Sequence, residues 1–153
     1  MTTDETLVPG TTTDEPPAPQ VWPTLRARDA PALIRFLVDA FGFEETAVYG
    51  DQPDGSGDVV VHAQLSWPLG GGIMLGSVQA VPDDHWPVPP GGAGCYVVTD
   101  APDELHDRAV AAGAEVVRPL HDTDYGSRDF AVRDPEGNLW SFGTYRGEPR
   151  RVS

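Results

Sequence analysis

Histidine is the side chain best suited to bind a metal ion or to transfer a proton near neutral pH, and this chain has four. His62 alternates with Gln64 and Ser66 in a strand-like run, so these three side chains share one face. No two histidines have the i,i+4 or short-loop spacing of a chelate, so the sequence predicts no stoichiometric metal site. The remaining histidines are interpreted as solvated or structural: His85, His106 and His121.

The only cysteine, Cys95, excludes an intrachain disulfide and a cysteine-based zinc site. A lone thiol fits a reducing cytoplasm, and the first residues lack the basic and apolar regions of a signal peptide. A net charge of -14 repels phosphate backbones and anionic lipid headgroups. We therefore expect a soluble cytoplasmic protein that binds neither nucleic acid nor membranes.

Two similar helix motifs indicate an internal duplication. Asp29-Ala30-Pro31 recurs 71 positions later as Asp100-Ala101-Pro102. The glycines that should end the two helices, Gly42 and Gly113, keep the same offset of 71. In each motif the aspartate is predicted to cap the helix N-terminus, with proline in the first turn. The chain is thus predicted to contain one supersecondary unit written twice.

Strand-like runs surround both helices in the order strand, helix, three strands. This order predicts an α+β fold of two tandem βαβββ modules. The predicted strands are 21–27, 45–49, 59–65 and 73–78, then 95–99, 115–120, 128–132 and 139–145. The predicted divisions are a disordered acidic tail (1–19), a first module (20–80), a Pro/Gly linker (81–92), a second module (93–146) and a C-terminal tail (147–153).

Three segments resemble the vicinal oxygen chelate superfamily of glyoxalases, bleomycin resistance proteins and dioxygenases. Residues 25–29 with 36–43 resemble its first strand, its helix and the exit from that helix. Residues 113–116 resemble the exit of its second module, and residues 125–130 with 134–140 resemble its closing hairpin. The resemblance covers roughly residues 20–146 and implies that the two modules form curved mixed sheets around a cup. In metal-using members, the resemblance further implies a divalent ion held by His, Gln or Glu side chains.

The four family ligand positions carry other residues in this sequence. The first-strand positions fall on Trp22 and on Gly94, or on Cys95 if the strand slips by one residue. The last-strand positions fall on Met74 and Ser141. Trp22, Gly94, Met74 and Ser141 do not supply hard-metal ligands, so we expect no metal and no cofactor in the cup.

The cup is instead expected to be aromatic and partly polar. Arg26 would pair with an anionic group of the ligand, and the tryptophan and tyrosine rings would stack on a planar one. Each residue also has a packing or ion-pair role as an alternative. The predicted ligand-binding residues are Trp22, Arg26, His62, Gln64, Met74, Tyr96, Arg128 and Ser141.

Three functions stay open on the sequence alone. The first is a metal-free protein that sequesters an antibiotic or another planar metabolite. The second is a lyase, isomerase or dioxygenase that uses a displaced or substrate-borne metal, with His62, His121 and Glu45 as its resources. The third is a structural or regulatory dimer with a filled cup. Because a half-open sheet leaves an edge to be paired, a homodimer is expected in each case.

Overall fold

The computed structural model describes residues 18–52, 57–80 and 85–151. The predicted acidic tail falls outside these residues except for Ala18 and Pro19, as do residues 81–84 of the predicted linker and the last two residues of the chain.

The predicted order of strand, helix and three strands occurs twice, which confirms the fold class. The first unit contains β1 (Thr24–Ala27), α1 (Ala30–Phe36), β2 (Glu44–Gly50), β3 (Val60–Ser66) and β4 (Gly72–Ser77). The second contains β5 (Gly94–Val98), α2 (Pro102–Ala111), β6 (Glu115–Asp122), β7 (Arg128–Arg133) and β8 (Leu139–Gly143).

Each unit forms its own four-stranded mixed sheet, in the orders β1-β4-β3-β2 and β5-β8-β7-β6. In both, the first strand runs parallel to the last, and the other pairs are antiparallel. Thr24 pairs with Met74 in the first sheet, and Tyr96 pairs with Ser141 in the second. The two sheets therefore place equivalent residues of the repeat at equivalent positions.

Helix α1 begins and ends as its sequence predicts. The Asp29 side chain accepts a hydrogen bond from the Ala32 amide at 3.1 Å, and Gly42 ends the helical segment at a φ of 91°. Between them, Leu37–Phe41 widens into a π-helical turn that the sequence pattern did not predict. Arg108 of α2 donates to the carbonyls of Asp39 and Val38 at 2.8 and 3.0 Å, so a neighbouring element satisfies this irregular end.

Several predicted boundaries were wrong by one to three residues. Asp100 does not cap α2, because the helix begins one residue later with Ala101 at the N-cap, and Asp100 forms an ion pair with Arg146. The first strand begins at Thr24 and not at Val21. The Trp22 ring nitrogen bonds locally to the Pro19 carbonyl at 2.9 Å, and Trp22 precedes the strand.

One apolar core contains side chains from both units. Phe41 of the first helical segment lies 4.8 Å from Phe142 and 5.4 Å from Trp140 between ring centroids. Trp67 adds a link, because its ring nitrogen donates to the Val98 carbonyl at 2.9 Å. The helical sides of the two sheets thus contribute to a common interior. In the described part of the chain, no helix has the length and apolar character needed to cross a membrane.

Candidate functional site

The outer face of the first sheet, meaning the face turned away from the shared core, carries four of the predicted ligand-binding residues. Leu25, Leu65 and Leu75 are buried in the core, and the residues that alternate with them point the other way. Gln64 pairs with Met74 across adjacent strands in that second set. The residues brought together on this face are Arg26, His62, Gln64 and Met74.

Arg26 is held firmly within this face. It is only 9% exposed, and its Nη2 donates to the Ser77 carbonyl at 2.7 Å. A buried guanidinium with one of its five donors fixed to the backbone is a rigid element of the sheet surface. His62, farther along the face, lies beside its cross-strand partner Tyr49, with the rings stacked 6.2 Å apart.

The outer face of the second sheet carries two more predicted residues, Tyr96 and Ser141, which pair directly. Gly94 belongs to the same alternating set, whereas Cys95 belongs to the opposite set and packs against the core. The register therefore favours Gly94 over Cys95 as the equivalent of the family's ligand position. Tyr96 is 45% exposed in the single chain, so this face is open.

Arg128 does not join these groups, and Trp22 lies beside the first of them, ahead of β1. Trp22 precedes β1, where its ring lies so close to Gly72 that a Cβ on that glycine would meet it at 2.9 Å. Arg128 pairs with Asp103 of α2 at 2.7 Å and with Asp122 at 3.2 Å, so its side chain is engaged near the helix. This pair lowers the pKa of the Asp103 carboxyl, chiefly through the hydrogen bond from Arg128.

The four positions that would hold the family's metal do not fit one. They offer an indole, a thioether, a hydroxyl and a glycine without a side chain, at Trp22, Met74, Ser141 and Gly94. Hard or borderline divalent ions prefer imidazole and carboxylate ligands. Nor do the described residues contain a group of three or more His, Cys, Asp or Glu side chains placed to hold a metal ion.

The residues of the enzymatic alternative are also separated. His62 lies in β3 of the first sheet, and His121 lies in β6 of the second. Glu45 is an exposed residue of β2. The two sheets therefore do not bring these three side chains together in one catalytic site.

A cleft of about 340 Å³ opens between the two units. Aromatic and aliphatic side chains line its wall, and Arg146 supplies one charge. Cys95 also lines it, and burial, followed by the negative charge of Asp134, raises the pKa of its thiol. The thiol is therefore a weak nucleophile at neutral pH. The ring-bearing lining residues are Phe43, Trp67, Tyr96 and Trp140.

Next to Tyr96 the structure shows a polar group that sequence reasoning missed. Asp129 is 9% exposed and accepts hydrogen bonds from the Ser127 and Tyr125 hydroxyls. The Tyr125 ring packs edge-on against Tyr145, with centroids 5.8 Å apart. The alternation of Tyr125, Ser127 and Asp129 was a visible signal, but only the register shows that these residues meet Tyr96.

Comparison with known proteins gives a family match and structural neighbours. The sequence pattern of the Glyoxalase/Bleomycin resistance protein/Dioxygenase superfamily matches residues 20–142. No curated protein sequence matches the chain.

Several solved structures share the fold. TioX from Micromonospora sp. ML1 is 30% identical, over 81% of this chain and 98% of that protein, with a TM-score of 0.64. Virulence protein STM3117 from Salmonella typhimurium is 21% identical, over 82% and 95% of the two chains, with a TM-score of 0.60. A family enzyme from Burkholderia phytofirmans PsJN is 20% identical, over 80% and 94%, with a TM-score of 0.57.

Proposed function

This chain belongs to the glyoxalase/bleomycin resistance protein/dioxygenase superfamily, and we propose that it is a member that binds a small molecule without a resident metal. The observation that carries the proposal is the chemistry of the four ligand positions. Trp22, Gly94, Met74 and Ser141 replace the side chains with which metal-using members hold their ion. A cup that keeps the fold but not the chelating groups is suited to binding and not to Lewis-acid catalysis.

The inter-unit cleft supports a planar ligand. Its volume of about 340 Å³ lies within the range of small-molecule pockets. Rings of Trp67 and Tyr96 line it, and aromatic faces stack on flat ligands. Sequestration of an antibiotic or another planar metabolite, in the cytoplasm, is the function we propose for this pocket.

We further propose that two copies form a homodimer in which the outer faces are covered. The outer faces hold most of the predicted binding residues, yet Tyr49 and Tyr96 are 60% and 45% exposed in one chain. A second copy that covers these faces would bury the rings and, because Tyr96 also lines the cleft, help to enclose a ligand bound there. Sedimentation velocity at micromolar concentration should show a two-chain species, and a purely monomeric protein would rule out the shared enclosure.

The binding function is tested by a thermal-shift screen of planar natural products in buffer containing a chelator. Tyr96→Ala should lose most of the stabilisation given by each hit, because Tyr96 lines the cleft. Val110→Ala is the control, since Val110 is an exposed residue of α2, and its thermal shifts should match those of the unaltered protein.

Hits that stabilise both variants equally would show that they bind elsewhere. Compounds that stabilise the protein only when added metal replaces the chelator would overturn the metal-independent function.

A further inference from the structure

We propose that the ligand carries an organic ammonium group, and that this cation binds at a tyrosine cluster built around the Asp129 carboxylate. The tyrosine cluster consists of Tyr96, Tyr125 and Tyr145. This inference rests on the proposed binding function and adds to it the chemical class of the ligand.

The Tyr96 hydroxyl and the Asp129 carboxylate both lie against the backbone of Gly143. A Cβ on Gly143 would lie 2.1 Å from Asp129 Oδ1 and 2.7 Å from the Tyr96 hydroxyl oxygen. Only glycine leaves room for both oxygen atoms to approach the backbone at this point. Tyr96 also donates to the Tyr145 carbonyl at 2.8 Å, which fixes its ring beside the carboxylate.

The negative charge of Asp129 is buried and lacks a cationic partner. In the described part of the chain, no basic side chain lies within salt-bridge distance of it. One of its two hydroxyl partners, Tyr125, is 3.4 Å away, at the long limit of a hydrogen bond. Burial of an unpaired charge is costly, so a bound cation would relieve a cost that the free protein carries.

A second buried aspartate, Asp134, shows how a carboxylate looks when hydrogen-bond donors surround both of its oxygen atoms. Asp134 accepts hydrogen bonds from the Glu136 and Asn138 amides, the Asn138 side chain and the Trp140 ring nitrogen, at 2.8–3.0 Å. Asp134 therefore serves the closing turn and has little capacity left. The contrast identifies Asp129 as the carboxylate that is available to a ligand.

His121 adds an unused acceptor next to Asp129. The two residues pair directly across β6 and β7. The Nδ1 atom of His121 lies 2.8 Å from the Pro119 carbonyl, which can only accept, so Nδ1 carries the proton. The Nε2 atom is then an acceptor in the neutral ring, and it is buried with no partner among the described atoms.

The exposed rings complete a surface that attracts cations. Tyr125, Tyr96 and Tyr145 are 63%, 45% and 40% exposed, so a ligand can reach the ring faces. Cations bind favourably over tyrosine faces. Arg146, the nearest cation of the cleft wall, is itself neutralised by an ion pair with Asp100.

The test is a pair of NMR titrations at neutral pH with benzylamine and benzyl alcohol. The two probes match in shape and ring, but only benzylamine is cationic at this pH. Benzylamine should bind at least about tenfold more tightly, with the largest shifts at the tyrosine cluster. Equal affinities, or shifts centred outside the tyrosine cluster, would overturn the inference.

Variants separate specific binding from the general attraction of an acidic protein. Asp129→Asn keeps the side-chain shape and should weaken benzylamine binding about tenfold or more. Asp124→Asn, which removes an exposed charge from the loop before β7, should not weaken it. Tyr125→Leu, at an exposed position that folding should tolerate, should cost about two- to fivefold. Equal losses of benzylamine affinity in the Asp129 and Asp124 variants would show that the net negative charge of the protein, and not a specific site, attracts the cation.

The outcome is separable from that of the proposed function. If the thermal-shift screen yields neutral or anionic hits that depend on Tyr96 but not on Asp129, the binding function stands and the ammonium preference is wrong. If benzylamine binds as described but no larger planar ligand is found, the cation site stands without the sequestering function.

Discussion

At the scale of single residues, buried polar side chains distinguish structural groups from groups available for binding. Asp134 and Glu136 lie at the turn of the closing hairpin, and each does more than shape that turn. Asp134 gathers four donors beneath the closing hairpin, and Glu136 accepts bonds from the Arg28 and Asp29 amides at 3.0 and 2.8 Å. Glu136 thereby ties the second unit to the start of α1. Neither role was visible from turn composition alone.

We predict that Asp134→Ala lowers the free energy of unfolding by about 3 kcal/mol or more, because it strands several buried donors without an acceptor. The Trp140 ring nitrogen is among them, and this ring is fully buried. Urea unfolding followed by tryptophan fluorescence measures the effect. Asp124→Ala, at an exposed position, should change stability by less than about 0.5 kcal/mol, and equal values for the two variants would refute the role of Asp134.

Cys95 gives a pH-dependent prediction. Burial raises the pKa of its thiol, so the folded chain keeps this proton at a pH where the unfolded chain has lost it. Reaction with a thiol reagent should therefore reach half its maximal rate at a higher pH in the native protein than in urea. The same linkage means that the free energy of unfolding falls as the pH rises from the pKa of the thiol in the unfolded chain to its higher pKa in the folded chain. If the pH dependence of the thiol reaction were the same in the native protein and in urea, the raised pKa of the buried Cys95 thiol would be wrong.

At the scale of elements, most of the fold could be predicted from the sequence, because the residues that determine each helix and strand lie within or next to it. Caps, stop glycines and alternating runs lie within a few residues of the structure they determine, and Asp29 and Gly42 act as predicted. The π-helical turn could not be predicted, because the side chain that satisfies its carbonyls comes from α2, about 70 positions away in sequence.

We expect Arg108→Ala to destabilise the protein by about 1 kcal/mol, through the loss of two hydrogen bonds to the carbonyls that end the first helical segment. Hydrogen exchange should show the amides of Leu37–Phe41 losing protection before those of the sheets. Arg118→Ala is the control, since Arg118 is an exposed residue of β6. Unchanged protection in the Arg108 variant would mean that the turn is stable by itself.

The candidate site was only partly predictable, for a reason that also lies at this scale. Alternation placed His62 and Gln64 on one face, but whether Arg26, Met74 and Tyr96 shared an outer face depended on strand register. Arg128 shows the consequence, because it is the neighbour of Asp129 in β7 and its side chain pairs with Asp103 of α2 instead. The Asp129 group depends on pairing between strands, which no local pattern specifies.

At the scale of the whole molecule, the two units share a core and leave aromatic rings of their outer faces exposed, such as those of Tyr49 and Tyr96. The cleft and the exposed rings are the features on which the proposed binding of an organic molecule depends. The duplication places two of the family's ligand positions in each unit, and the four residues there are not typical ligands of divalent metal ions.

Metal stoichiometry tests that claim most directly. The purified protein would be stripped with chelator, dialysed separately against zinc, nickel, manganese and ferrous ions, desalted, and measured by elemental mass spectrometry. We predict less than about 0.1 ion per chain for every metal, because the ligand positions lack imidazole and carboxylate groups. About one tightly held ion per chain, for any of the four metals, would contradict the account.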